Sequence, residues 1–486
     1  MKKIVKSLSL LMLVTATSCT NTSAPTRATM KYLYKDYSLN SIEDSAVCPS
    51  LKKANFLVVP VWFNDSDDYI TNKDQVYEDI ANSYRGNPED IGWESVSSYY
   101  KKDSYGKLTI NATVTDWYNC GYNSTAYYPE DAGSKNTYYM VDAIFKWVRR
   151  TLGDTVQFDA NKDGYIDSIA IIYAAPDYRH LSGDDISNMW AYTTTFVGYK
   201  PNVDAPVPSK YFWASYDFMY SNGDYALSRT GKSSAGTGDT TNCTVDTHTF
   251  IHETGHLFGL MDYYDYAGST APALSFSMQD MNVGGHDPFS KIALGWSKPY
   301  VPKKTTTIKL KPFEENGDVI LLSPKFTNSP FDEYILIEFY TPKGLNEFDT
   351  TNRYIGRQKG PDAYGARVWH VDARLYDFDK KVVTTNASEG FLYQATSNTS
   401  SGSRAIGLAG KVEYNQNQVI SRKTITDWHH FLRDNDLFTE GDEFLFENYQ
   451  NQFVESGTLN SGLKLGWSFT IDSLSENQMT VTCTKL

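Results

Sequence analysis

Two kinds of apolar pattern alternate along the chain before residue 300. NFLVVPVWF, residues 55–63, is an unbroken β-rich run, and DSIAIIYAAP, residues 167–176, is a second. Such runs predict strands buried on both faces. Between them, SVSSYYKKDSYGKLTINATVTDWY opens as a short helix and turns at Gly106 into the alternating KLTINATVTDW, which predicts a half-exposed strand. NTYYMVDAIFKWVRRTL places Tyr139, Val141, Ile144, Val148 and Leu152 near one helical face. Strands interleaved with helices predict an α/β body. The Gly/Ser/Thr-rich stretch 221–242 carries no periodic face and reads as a long loop.

After ALGWSKPY the character changes. TTTIKLKPF, GDVILLSP, EYILIEFY, GARVWHVDA, WSFTIDSL and MTVTCTKL are short β-rich runs separated by turn residues, which predict an all-β, sandwich-like C-terminal region. A boundary near residue 300 follows, and no repeat period is evident. The length, 486 residues, suits two or three domains.

The N-terminus adds an address. Lys2, Lys3 and Lys6 precede an apolar run from Leu8 to Val14, then small residues before Cys19. This is an export signal too short to span a bilayer. ATSC looks like a lipobox, which makes Cys19 the lipidation site; a plain secretory signal with a coincidental cysteine is the alternative. Residues 1–19 are thus read as a lipoprotein signal peptide, 20–47 as a tether or short leader, 48–300 as the catalytic body and 301–486 as the β-rich domain. The expected location is the outer face of a bacterial membrane, with release from the anchor as the variant. The chain is expected to be monomeric and to touch membrane only through that lipid. Cys48, Cys120, Cys243 and Cys483 remain; three pairings are possible and free burial is equally compatible, so no bridge is assigned. The net charge of −13, with no Lys/Arg stripe, disfavours nucleic acid as a partner.

The candidate chemistry lies in HETGHLFGLMD, residues 252–262. Residues four apart share a helix face, so His252 and His256 can present imidazoles to one zinc ion with Glu253 beside them. Phe250, Ile251, Leu257 and Phe258 can pack the helix, although Gly255 weakens it. Gly259 can end the helix and let the chain turn so that Asp262 becomes a third ligand. The competing reading is a polar helix with two surface histidines. In the zinc reading Glu253 is general base and then general acid. Tyr263, Tyr264, Tyr266 and His286 are the nearby candidates for an oxyanion partner. DANKDGYID suggests calcium: Asp159, Asn161, Asp163, Tyr165 (through its carbonyl) and Asp167 fall at loop positions 1, 3, 5, 7 and 9, with Gly164 at 6. Position 12 is Ala170 rather than glutamate, and an Asp/Asn/Gly turn is the alternative. His370 and Glu338 read as a buried ion pair or satisfied core groups.

Together these stretches resemble the immune inhibitor A family of secreted bacterial metallopeptidases, relatives of the metzincins. HETGHLFGLMDYYDY is similar to the family's zinc motif with aspartate in third place. WESVSSYYKKDSYGKL, FDANKDGYIDSIAIIYA, SMQDMNVGGHDPFSKIALGW, DEYILIEFYTPKGLNEFD and GARVWHVDARL resemble further segments. The resemblance runs from about Val47 to Ala373 and more weakly to the end. It implies a metzincin-like α/β zinc-protease domain with mixed sheet and active-site helix, followed by β structure. It also implies an extracellular zinc endopeptidase with structural calcium that cleaves proteins or peptides. Met278 or Met281 would form the methionine turn beneath the zinc, and Met278 is preferred. Gln279 and the short region before residue 48 depart from the family pattern, and a Cys48 thiolate latch competes there with disulfide or burial. Two rival functions are a non-catalytic surface adhesin or carbohydrate-binding lipoprotein on a protease-like fold, and a cell-wall peptide amidase.

Overall fold

The computed structural model describes residues 26–30, 48–129, 136–183, 185–221, 223–231, 243–264, 273–352, 359–377, 382–384, 392–394, 417–420, 431–450 and 457–486. Cys19 and the expected signal segment lie outside the described residues. The N-terminal body is a mixed sheet between helices. Strand β1 (Lys52–Trp62) is buried throughout from Phe56. On either side of it β2 (Leu108–Val114) and β3 (Ser168–Tyr173) run parallel. β4 (Tyr192–Thr195) is the antiparallel edge beside β5 (Lys210–Ser215), which runs parallel to β3. The order is β2-β1-β3-β5-β4, with Tyr118–Asn119 adding a sixth short strand beside β1.

Pro60 interrupts β1 without breaking the sheet. Val58 bonds towards the β2 side, so Pro60, two residues on, faces the same way. Its missing N–H falls between Val114 and Tyr118, where the neighbouring strand is itself interrupted. The alternation predicted for residues 108–112 holds: Leu108 and Ile110 are buried while Thr109 and Asn111 face water.

Helices α1 (Lys73–Arg85), α2 (Val96–Asp103) and α3 (Thr137–Thr151) begin at Asn72, Ser95 and Asn136, whose side chains each accept the amide three residues on. The buried face of α3 is Met140, Val141, Ile144, Phe145 and Val148, whereas Tyr139 and Leu152 are exposed. The buried stripe therefore starts one residue later than predicted, at Met140, and ends at Val148, because the helix stops at Thr151. α3 covers one sheet face with Leu57, Val59, Ile169, Ile171 and Trp213. α1, α2 and the motif helix α4 (His248–Leu257) cover the other, against Phe56, Val58, Ala170 and Phe212.

The C-terminal part is antiparallel throughout its described sheets. β6 (Thr306–Leu310), β7 (Val319–Leu322), β8 (Glu333–Tyr340), β9 (Gly365–Asp372), β10 (Asn417–Ile420), β11 (Glu443–Phe444), β12 (Trp467–Ser475) and β13 (Gln478–Lys485) form two four-stranded sheets, β10-β9-β8-β7 and β11-β12-β13-β6. Ile320, Ile335, Ile337, Val368, Phe469 and Val481 fill one core between them. A small third sheet joins Leu375–Asp377, Val382–Thr384 and Leu392–Gln394.

Residue 300 is not a clean division. The alternate residues of β7, β8 and β9, among them Leu321, Tyr334, Leu336, Trp369 and Val371, join the same core as α1, α2 and α4. Nor is the expected tether 20–47 loose throughout. Arg27 pairs with Asp318 and lies over Tyr300, Ala28 N–H donates to Pro299 O at 2.8 Å, and Met30 is buried.

Candidate metal centre

The site is made where α4 ends. Phe250, Ile251 and Leu257 anchor the helix in the core. Gly255, expected to weaken it, has a packing reason: a Cβ there would lie 2.2 Å from Gln279 Oε1. The helix stops at Gly259, whose φ of 91° is open to glycine at little strain. Leu260 N–H reaches back to Gly255 O at 3.1 Å, a Schellman closure that reverses the chain. Tyr263 N–H then donates to Gln279 O at 2.8 Å and fixes the returning segment that carries Asp262.

Three ligand atoms converge. His252 Nε2 is 2.9 Å from Asp262 Oδ1, His256 Nε2 is 3.2 Å from the same oxygen, and the two Nε2 atoms are 3.1 Å apart. His252 Nδ1 lies 2.8 Å from Met278 O and His256 Nδ1 lies 2.8 Å from Leu260 O. A carbonyl only accepts, so both Nδ1 atoms carry protons, and neutral rings then direct both Nε2 lone pairs at a carboxylate. Three acceptors facing one another repel unless a cation lies among them. Ligands about 2.05 Å from a tetrahedral zinc stand about 3.3 Å apart, close to the observed triangle. The donor set and its backbone-fixed tautomers therefore fit zinc.

The same field acts on protons. Burial would raise the Asp262 carboxyl, but the His256 and His252 rings overcome it and hold it well below the usual carboxylate range. Burial opposes charge on His256, yet Asp262 pushes that ring up to about 9. Without a metal, the site thus draws in a proton as its positive charge.

Glu253 is buried, and its Oε2 meets no hydrogen-bond donor among the described residues. Burial raises its carboxyl, against the pull of His256 and His252. With His256, Asp262 and Tyr264 it lines a cavity of about 430 Å³ that continues past β4 to the start of α3. Thr193 Oγ1 on β4 donates to Glu253 O at 2.9 Å, and Lys210 Nζ on β5 donates to His256 O at 3.2 Å, so the sheet edge grips the helix on both sides of the motif.

Other expected residues separate. Met278 is fully buried and supplies the carbonyl that orients His252, whereas Met281 is only partly buried. Of the oxyanion candidates, Tyr264 lines the cavity, its ring 6.3 Å from that of His252. Tyr263 is buried against Ser290 Oγ at 3.0 Å, and Tyr266 lies outside the described residues. His286 is excluded from the cavity: it is fully buried, with Nδ1 2.8 Å from Asp103 Oδ2 and Nε2 3.1 Å from Gln279 Oε1. Asp103 also pairs with Lys291 at 3.0 Å, and Lys291 with Glu314 at 2.9 Å.

The sequence reading passed over His248, four residues before His252 on the same helix. Its Nδ1 lies 2.7 Å from Asp246 Oδ1 and its Nε2 3.2 Å from Asp349 Oδ1, with Trp93 stacked on the ring at 3.6 Å. The i, i+4 spacing signals the shared face; Asp349, in another element, carries no local signal.

The acidic loop holds itself together. Asp159 accepts amides from Lys162 at 2.6 Å and Gly164 at 2.9 Å; Asp163 bonds Asn161 Nδ2 at 2.8 Å and Tyr165 N at 2.9 Å. Asp167 accepts from Asn55 N at 2.6 Å and Ala160 N at 3.1 Å, and burial pushes its carboxyl up to about 8. Tyr165 lies in a bridge with Val207. Among the described residues, three His, Cys, Asp or Glu ligand atoms gather within 4.8 Å at His252/His256/Asp262 and at Asp177/His180/Asp217. At the second group Arg179 already pairs with Asp177 at 2.5 Å, and His180 with Asp217 at 2.5 Å.

His370 pairs with Glu333 at 2.8 Å rather than with Glu338, which takes Arg367 and Trp369 Nε1 instead. Cys48 is a fully buried thiol, raised well above the usual range by burial, which is unsuited to a thiolate latch; Cys48, Cys120, Cys243 and Cys483 form no disulfide with one another. No described helix is long and apolar enough to cross a membrane. Comparison with known proteins finds no matching family model and no matching curated protein.

Proposed function

We propose that the chain is an exported zinc endopeptidase with a metzincin-like catalytic body. The observation that carries this reading is the convergence of His252 Nε2, His256 Nε2 and Asp262 Oδ1 beside a buried, unpaired Glu253 carboxylate oxygen. Zinc, when bound, supplies a Lewis acid that acidifies water and polarises a peptide carbonyl. His252 and His256 serve as neutral ligands because the Met278 and Leu260 carbonyls hold their Nδ1 protons. Asp262 contributes the one anionic ligand.

The Glu253 carboxylate, which lines the cavity, takes a proton from the attacking water and delivers it to the leaving amine nitrogen. Its burial keeps other donors away, so that proton has few competing routes. A binding module has no use for such a carboxylate beside two ligand histidines, which favours catalysis over adhesion. Calcium at the Asp159–Asp167 loop belongs to the same reading: backbone amides order its carboxylates, and each carboxylate keeps further lone pairs for a cation. Export and anchoring through Cys19 rest on the sequence pattern.

The test is metal analysis and casein cleavage for the wild type and Glu253→Ala. One zinc per chain in both, with cleavage only in the wild type, is expected. A wild type without zinc, or a variant with undiminished cleavage, overturns the reading.

A further inference from the structure

The cavity beyond the metal centre has an unusual wall. Tyr138, Trp190, Tyr192, Tyr211 and Tyr264 give it five aromatic rings, and among the described residues its carboxylates and imidazole are those of Glu253, Asp262 and His256 of the centre itself. Among the described residues no lysine or arginine lines it. A substrate carboxylate entering there would be desolvated without a counter-charge.

Several polar groups of the wall are committed to one another or to backbone carbonyls. Tyr192 OH must donate to Asn188 Oδ1, at 2.8 Å, because that oxygen only accepts. Thr137 Oγ1, 3.0 Å from Tyr192 OH, then donates to it, and Tyr211 OH, 2.8 Å from Thr137 Oγ1, donates in turn. Asn188 Nδ2 donates to Tyr127 O at 2.8 Å and Tyr138 OH to Val197 O at 2.9 Å. A sugar, which needs several donors and acceptors, would have to break this chain; an apolar ring would leave it intact. Trp190 is 49% exposed, a large apolar surface left in water beside the cavity.

We infer that this cavity is a specificity subsite for a large neutral aromatic side chain of the substrate, close to the scissile bond. The inference rests on the peptidase reading, and it names Trp190, with Tyr138 and Tyr192, as the residues that set the preference. Ring-on-ring contact favours Phe, Tyr or Trp. Acidic residues are disfavoured for want of a cation among the described lining residues, and glycosylated Ser or Thr because sugar hydroxyls would compete with the Tyr211–Thr137–Tyr192–Asn188 chain.

Two measurements separate the subsite from the peptidase reading. In the first, a quenched-fluorescence peptide library is cleaved by the zinc-loaded wild type. One position flanking the cut should favour Phe over Ala by about tenfold or more in kcat/KM, and Glu should be worse than Ala. Trp190→Ala should narrow the Phe-to-Ala ratio, chiefly through KM. In the second, calorimetric titration of Glu253→Ala compares N-acetyl-phenylalaninamide, N-acetyl-alaninamide and an N-acetylgalactosaminyl-threonine amide. The aromatic amide should bind at least tenfold more tightly than either other. Cleavage without aromatic preference, a preference for the glycosylated ligand, or a ratio unaltered by Trp190→Ala overturns the subsite and leaves the peptidase reading standing. Selective binding of the aromatic amide by a protein that cuts no peptide supports the subsite and sinks the peptidase reading.

Discussion

At the first turn of α4, His248 lies between Asp246 and Asp349 with both ring nitrogens engaged and Trp93 against its face. One turn later, His252 and His256 have their Nδ1 protons engaged and their Nε2 lone pairs aimed at Asp262. Both places combine imidazole and carboxylate. The first is electrically complete: two anions around one buried ring favour the imidazolium, and nothing further is required. The second has an excess of acceptors at one point, and only a cation resolves it. His286, buried between Asp103 and Gln279, belongs with the first kind. The presence of a histidine beside an acid therefore says little until the direction of every proton is known.

The largest effects should fall on the incomplete place. Glu253→Ala should reduce kcat/KM by about 10² to 10⁴ with zinc content unchanged. His252→Ala should abolish stoichiometric zinc, read by atomic absorption, along with activity. His286→Ala should do the reverse, keeping zinc while lowering stability by about 3–5 kcal/mol in chemical denaturation, because it leaves the buried Asp103 short of a partner. A zinc-free but stable His286→Ala protein would break the comparison.

Gly255→Ala tests the packing behind the ligands. The new methyl meets Gln279, so a loss of about 1–3 kcal/mol is expected, against the gain a helical alanine would normally bring. The smallest effect concerns pH. Burial opposes charge on His248, but Asp349 and Asp246 raise it from the ordinary 6.5 to about 9. Its contribution is thus complete below about pH 6.5 and disappears as pH rises through about 9. The Tm difference between wild type and His248→Gln should be widest near pH 6 and shrink towards pH 10; a difference constant with pH would show that His248 is neutral in the fold.

What was legible in the sequence was local. The four-residue spacing of His252 and His256, and the glycine three after the second, suffice to place two imidazoles on one face and a turn after them. The buried runs of β1 and β3 were equally plain. The edge strand β4 was missed because none of its four residues is fully buried, and β5 because it opens on a buried lysine, Lys210, which bonds the His256 carbonyl. Gly255 read as a weakness until Gln279, twenty-four residues on, supplied its reason. Packing across residue 300 was hidden for a similar cause: alternation in β7 to β9 shows that both faces are apolar, but not that one of them completes the core of the N-terminal body.

The docking of Arg27 against Tyr300 and Asp318 sets a length. From Cys19 to Arg27 is eight residues, which cannot reach further than roughly 28 Å when fully extended. If Cys19 carries lipid, the surface around Tyr300 is leashed within about one small-domain diameter of the bilayer. Such a protein would patrol a thin shell rather than sample the medium, meeting substrates that are themselves at the cell surface. A single cut between residues 19 and 27 would free it, with the Arg27 clasp still fastened.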